Sequence, residues 1–205
     1  MHSRVGVGKR SASGNCAAWT FQLKIPSDAY DDGYQALVDK DGLAGGLSPP
    51  SYKRYLIKRP TEAEYDTLVN EFWWNATYVP KYLWRDEIPF TARMLGQSVR
   101  DTYLRTIIEW YIGCQYDWSV NAGVCGKRFK ALLNADTWAE YEATFATADI
   151  EESWRAFFRA VDLFRRLAVH VGKVLGFEYP IELDRRMVSY YRQIQLTERN
   201  VGDEP

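Results

Sequence analysis

Residues 150–176, IEESWRAFFRAVDLFRRLAVHVGKVLG, carry the strongest apolar repeat in the chain. Ile150, Trp154, Phe157, Phe158, Val161, Phe164, Ala168, Val171 and Leu175 recur at steps of three and four, which places them on one helical stripe. Gly176 is a fitting stop, because glycine alone enters the left-handed C-terminal turn without cost. An isolated helix with so many aromatic side chains would expose its stripe to water. The rest of the chain must therefore supply helices to cover it.

Such helices are legible on both sides. Pro180 opens a final helix through Tyr190 and Tyr191 to about Leu196. Upstream, short helices are predicted over Phe129–Leu133 and Thr137–Phe145, and Gly113–Gly126 reads as an irregular connection holding Trp118. Pro89 suits the first turn of a helix whose apolar set is Leu95, Val99, Leu104, Ile107, Ile108, Tyr111 and Ile112. Thr61 is an N-cap with Glu64 three residues on, a capping box for a helix carrying Tyr65, Leu68, Val69, Phe72, Ala76, Val79 and Leu83. That helix is expected to run to about Asp86 with a kink at Pro80, which donates no backbone hydrogen bond. The fold class is mainly α, an antiparallel helical bundle.

The N-terminal quarter differs in texture. Residues 1–18, rich in Gly, Ser, Ala and basic residues, predict a disordered leader or sequence foreign to the fold. Trp19–Ile25 alternates large and polar residues before Pro26, and Tyr34–Val38 precedes the turn-forming Asp39-Lys40-Asp41-Gly42, so both read as short strands. Gly45-Gly46-Leu47-Ser48-Pro49-Pro50 is the clearest linker. The expected division is residues 1–50, a leader with a short β remnant, and residues 51–205, a helical domain.

Composition narrows the function classes. Hydrophobic residues at 46% and charged residues at 26% suit a soluble globular protein and exclude a disordered one. Twenty-six basic against 27 acidic residues exclude the broad basic surface of a nucleic-acid binder. Cys16, Cys114 and Cys125 are odd in number and form no C-x-x-C pair, and with His2 and His170 as the two histidines no zinc site is expected. The basic start lacks an apolar run, and nothing approaches the roughly 20 apolar residues of a membrane span. A cytoplasmic location is expected.

An ordered set of segments then resembles one family. Leu37-Val38-Asp39-Lys40-Asp41-Gly42, Lys58-Arg59-Pro60, Glu64-Tyr65-Asp66 and Asn70-Glu71-Phe72-Trp73 stand in the order and spacing of aminoglycoside 6-adenylyltransferases, the streptomycin-modifying enzymes. Tyr78-Val79-x-Lys81-x-Leu83-x-Arg85-x-Glu87-Ile88, Trp110-x-x-Gly113, Gly126-Lys127, Trp154, Phe158 and Tyr179-Pro180 continue it, so that it covers about residues 33–196. The resemblance implies an α/β domain that binds ATP and Mg²⁺, joined to a helical domain that closes over the drug. It also implies transfer of AMP from ATP to a drug hydroxyl with release of pyrophosphate. In that superfamily the metal carboxylates follow a Gly-Ser turn as a D-x-D pair, with a third Asp on a later strand.

This chain departs from that pattern. Its first fifty residues hold no Gly-Ser followed by D-x-D, Gly14 precedes Asn15, and Thr20–Pro26 carries no carboxylate. Asp39-Lys40-Asp41 aligns with a later element and reads as a turn. The expectation is a truncated form that keeps the drug-binding half. It has no catalytic or metal residues of its own, binds neither Mg²⁺ nor ATP unaided, and either self-associates or pairs with a separate N-terminal half. Two alternatives stay open: an intact adenylyltransferase drawing metal ligands from Asp28, Asp31 and Asp32, and a HEPN-type ribonuclease or antitoxin module using Arg165-x4-His170.

Aminoglycosides are polycationic, so carboxylates and aromatic faces are the expected ligands. On the helix from Thr61, the residues Glu71, Trp74, Tyr78, Lys81 and Arg85 fall opposite the apolar stripe. Glu71, Trp74 and Tyr78 are assigned to the drug, and Lys81 and Arg85 to nucleotide phosphates. The bland counterpart is that Trp74 and Tyr78 pack on a neighbouring helix while the charges are solvated. Glu87, before Pro89, and Glu109, beside Trp110, are further drug candidates, weighed against a capping role and an ordinary surface role.

Overall fold

The computed structural model describes Gly33 and residues 51–197. The chain divides into two compact units, Met1–Tyr55 and Leu56–Pro205. Within the first, Lys53–Tyr55 forms a single 3-10 turn closed by the Tyr55 N–H on the Tyr52 carbonyl at 3.0 Å. The segments expected as strands, Trp19–Ile25 and Tyr34–Val38, lie outside the described residues, as do Asp28, Asp31 and Asp32.

In the second unit every regular element among the described residues is helical. The elements are α1 (Glu62–Ala76), α2 (Tyr78–Trp84), α3 (Ile88–Arg93), a wide π segment (Met94–Leu104), α4 (Arg105–Gln115), a 3-10 turn (Val124–Gly126), α5 (Phe129–Leu132), α6 (Ala135–Glu142), α7 (Ile150–Leu175) and α8 (Ile181–Leu196). No helix among these residues is long and apolar enough to cross a membrane.

The capping box forms as its spacing demands. Glu64 N–H donates to Thr61 Oγ1 at 3.3 Å, and Thr61 N–H donates to Glu64 Oε2 at 2.8 Å. Those bonds to Thr61 hold the Glu64 carboxyl below its usual range. The expected single helix to Asp86 is divided at Thr77, three residues before Pro80. A proline at that place cannot donate to the carbonyl of Ala76, which is where α1 ends.

α7 is the central element and packs against α4, α6, α2 and the π segment. Asp149 caps it by accepting the Glu152 N–H at 2.8 Å, and Gly176 closes it at φ +80°. Its predicted stripe is buried at Trp154, Phe157, Val161, Phe164, Ala168 and Val171. Ala156, Ala160, Leu163 and Leu167 are buried as well, so α7 is covered on more sides than one stripe. At the centre the Phe72 and Phe164 rings stack with centroids 3.6 Å apart and planes 7° from parallel. α8 closes the bundle where Tyr191, fully buried, donates to the Trp73 carbonyl at 2.8 Å.

Trp110-x-x-Gly113 acquires a steric reason here. A Cβ on Gly113 would lie 2.4 Å from the Trp118 ring, and the Trp118 N–H donates to the Gly113 carbonyl at 2.9 Å. Gly113→Ala is therefore expected to lower stability by about 1–2 kcal/mol, the overpacking cost less the helix-propensity gain. Urea denaturation checks this; an unchanged or raised midpoint would show that the Trp118 loop yields freely.

Candidate functional site

Of the sequence-predicted ligands, Glu71 and Trp74 of α1 and Lys81 of α2, with Arg85 just past its end, are exposed. Trp74 is 67% exposed, so its indole is not packed on a neighbouring helix among the described residues. One turn earlier, Glu71 Oε2 accepts the Asn75 amide at 3.1 Å and the Tyr103 hydroxyl at 3.4 Å; Asn75 also donates to that hydroxyl at 2.7 Å. Tyr103 is delivered from the π segment, where its ring stands edge-to-face with Phe72, centroids 6.3 Å apart. Burial, then the Glu71 charge, push the Tyr103 phenol above its usual range. Glu71 is thus held by neutral donors, with no cationic side chain paired to it among the described residues.

Tyr78 is half-buried and stacks on Tyr82 at 6.4 Å, and Tyr82 in turn meets Phe90 at 4.1 Å. Lys81 Nζ and the Arg85 guanidinium lie 5.4 and 5.8 Å from the Tyr82 ring centre. Glu87 occupies the N-cap position of α3 but makes no side-chain cap bond, and it lies 4.0 Å from Arg85. Glu109 belongs to a separate pair, 2.8 Å from Arg105. The structure therefore joins Glu71 to Asn75 and Tyr103, partners that sequence reasoning did not name. It gives Glu87 and Glu109 internal arginine partners instead.

The π segment explains why Tyr103 was missed. Arg105 N–H bonds the Arg100 carbonyl five residues back, and Thr102 Oγ1 donates to Gln97 O at 2.9 Å, also five back. Gly96, Ser98 and Thr102, weak helix formers, favour this wider turn. Each wide turn shifts the helical phase, so a wheel drawn at 100° per residue misplaces everything beyond it.

Arg165 of the R-x4-H arrangement is occupied structurally. Its Nε and Nη2 donate to the two oxygens of Asp184 at 2.5 and 2.8 Å, and Nη1 pairs with Asp162 at 2.9 Å. His170 is exposed and edge-on to Tyr111 at 5.0 Å. Neither arrangement supports a nuclease centre. Among the described residues no three His, Cys, Asp or Glu side chains converge. The donor set for a divalent metal is therefore not met there.

Comparison with known proteins identifies the family. The family described as streptomycin adenylyltransferase matches residues 21–194. The chain belongs to this family. It is 35% identical over 163 residues to the aminoglycoside 6-adenylyltransferase of Bacillus subtilis (strain 168), covering 79% of this chain and 57% of that protein. With the Staphylococcus aureus protein of the same name it shares 33% over 149 residues, 70% of this chain and 51% of the relative. A crystal structure of an aminoglycoside 6-adenyltransferase from Bacillus subtilis superposes with a TM-score of 0.64 at 34% identity, over 71% of this chain and 54% of that one. The chain thus spans about half the length of the aminoglycoside 6-adenylyltransferase relatives it matches.

Proposed function

We propose that residues 51–205 form the aminoglycoside-binding half of a streptomycin adenylyltransferase, with Glu71, Trp74 and Tyr78 facing the drug. In this reading the transfer of AMP from ATP to a drug hydroxyl depends on metal-holding carboxylates from outside residues 51–197. The observation that carries the proposal is the Glu71 group. A carboxylate braced by Asn75 and Tyr103, with no cation paired to it among the described residues and one turn from an exposed indole, suits a guanidinium that pairs and stacks at once. Glu87 and Glu109 are placed at the edge of this role, since the drug would have to displace Arg85 or Arg105.

Calorimetric titration of the chain with streptomycin tests it. Weak, salt-sensitive binding is expected, reduced about tenfold in Glu71→Gln, where a charge-assisted bond is lost. In Trp74→Ala the loss is about threefold, the worth of an exposed cation–π contact. Equal affinity in wild type and both variants would remove the drug from this face. The purified chain with ATP and Mg²⁺ is expected to give no adenylylated streptomycin; product in proportion to chain would shift the metal ligands to Asp28, Asp31 and Asp32.

A further inference from the structure

A groove between α6 and α7 is lined by none of the residues assigned to the drug or to nucleotide phosphates. Ala139, Glu140 and Ala143 of α6 and its C-cap and, opposite them, Arg159, Leu163 and Arg166 of α7 line a cavity of about 490 Å³. Leu163, 2% exposed, is its apolar floor, and the two alanines, one helical turn apart, add no bulk that would fill it. One end of the groove is electrically closed. There Arg166 pairs with Glu140 and donates to the Thr137 hydroxyl at 3.1 Å. Asp162, on the rim, is held by Arg165 at 2.9 Å. The other end is open. Arg159 is exposed, gives one N–H to the Ala143 carbonyl at 3.4 Å, and has no carboxylate in ion-pair contact among the described residues.

We infer that the α6–α7 groove binds a monocarboxylate with a short apolar body, its carboxylate on Arg159 and its body along Leu163, Ala139 and Ala143. Volume places the groove among small-molecule sites, which run from about 300 Å³ upward. Arg166 follows Arg159 by two turns on one side of α7, about 10 Å along the axis, and that span sets the length of the body. A guanidinium offers two parallel N–H donors that match the two oxygens of a carboxylate, and a carbonyl at 3.4 Å is a weak competitor for them. Charge selects a monoanion. A dianion such as a phosphate monoester would leave surplus negative charge beside Glu140 and Asp162, because Arg166 is already paired. A polycation is repelled by Arg159 and finds both carboxylates occupied. The ligand class is therefore distinct from an aminoglycoside, and the inference does not depend on the drug reading.

The experiment titrates the full chain, with isotope-labelled alanine and leucine methyls, by NMR with cinnamate, and in parallel with cinnamamide, acetate and phenyl phosphate. Arg159→Gln removes the charge from an exposed side chain, and Ala139→Leu fills the groove from an exposed position on α6. Cinnamate is expected to bind in the millimolar range proper to so small a ligand, and its ring current to move the methyl signals of Ala139, Ala143 and Leu163. Affinity is expected to fall about tenfold in Arg159→Gln, and as far for the neutral amide, because a charge-assisted bidentate bond is lost in both. Ala139→Leu is expected to abolish binding, and acetate, lacking the apolar body, to leave the methyls unmoved. Three results overturn the inference: no methyl shift at the solubility limit of cinnamate, equal affinity in wild type and Arg159→Gln, or binding that survives Ala139→Leu. Phenyl phosphate binding more tightly than cinnamate with the same Arg159 dependence overturns the choice of a monocarboxylate. Streptomycin binding is scored separately: its absence with cinnamate binding retained sinks only the drug face, and the reverse sinks only this groove.

Discussion

Replacing Arg165 with Ala is expected to destabilise the chain by about 3–5 kcal/mol, the usual cost of stranding a buried charge. Asp184 is 2% exposed and lies in the first turn of α8, where its carboxylate accepts two guanidinium bonds and the Tyr179 hydroxyl at 3.1 Å. Removing the guanidinium leaves that carboxylate desolvated with one neutral donor. Asp184→Asn is expected to cost less, because the charge leaves with the substitution and Arg165, 31% exposed, keeps Asp162 and water. The double variant then recovers part of the Arg165→Ala loss, as coupled neighbours do. Urea denaturation of the four proteins measures this cycle. A loss below about 1 kcal/mol in Arg165→Ala would rank the pair with surface bridges.

Alkaline pH is expected to unfold the chain steeply. Tyr65 donates to the Ala168 carbonyl at 2.8 Å, Tyr179 to Asp184, and Tyr191 to the Trp73 carbonyl at 2.8 Å. Burial is the main cause that pushes all three phenols far above their usual range; Asp184 adds to the shift of Tyr179 and Tyr191, and Asp66 to that of Tyr65. The sign follows from proton counting. Below the unfolded value near 10 both states keep these protons and the stabilisation is complete. Above it the unfolded chain releases them while the native chain holds them, so stability falls until the folded values are passed. Each phenol contributes about 1.4 kcal/mol per pH unit, so the three together give about 4 kcal/mol per unit above pH 10. Tyr103 and Tyr141 shift in the same direction and add to the slope. Urea midpoints at pH 9, 10, 10.5 and 11 check the prediction, and Tyr191→Phe is expected to reduce the slope by about one phenol's share. A midpoint that does not move between pH 10 and 11 would mean the rings are wetter than the structure shows.

Both predictions depend on contacts between residues far apart in the chain, and neither was legible in the sequence. Glu64 with Thr61, Gly176 after α7 and the α7 stripe were legible because they are local: the partner lies three or four residues away, and helix geometry sets the distance. The exposed positions of Glu71 and Trp74 on α1 were legible for the same reason. The sequence also held a trace of the π segment. The apolar steps before and after it are three or four, but the step from Val99 to Leu104, both fully buried, is five. Read as ordinary helix, that step hides Tyr103; read as a wide turn, it turns Tyr103 towards Asn75.

By itself, then, the sequence determined the mainly helical fold, the Thr61 and Gly176 caps, the α7 stripe and the family, because periodicity and ordered local motifs carry that information along the chain. Tertiary structure alone decided that Arg165 serves Asp184, that Tyr103 and Asn75 brace Glu71, and that Arg159 of α7 shares a groove with Ala139 of α6. The physical reason is that a side chain's charge state and partners depend on what burial removes from water around it. Burial is set by which helices meet, and no short-range pattern records that.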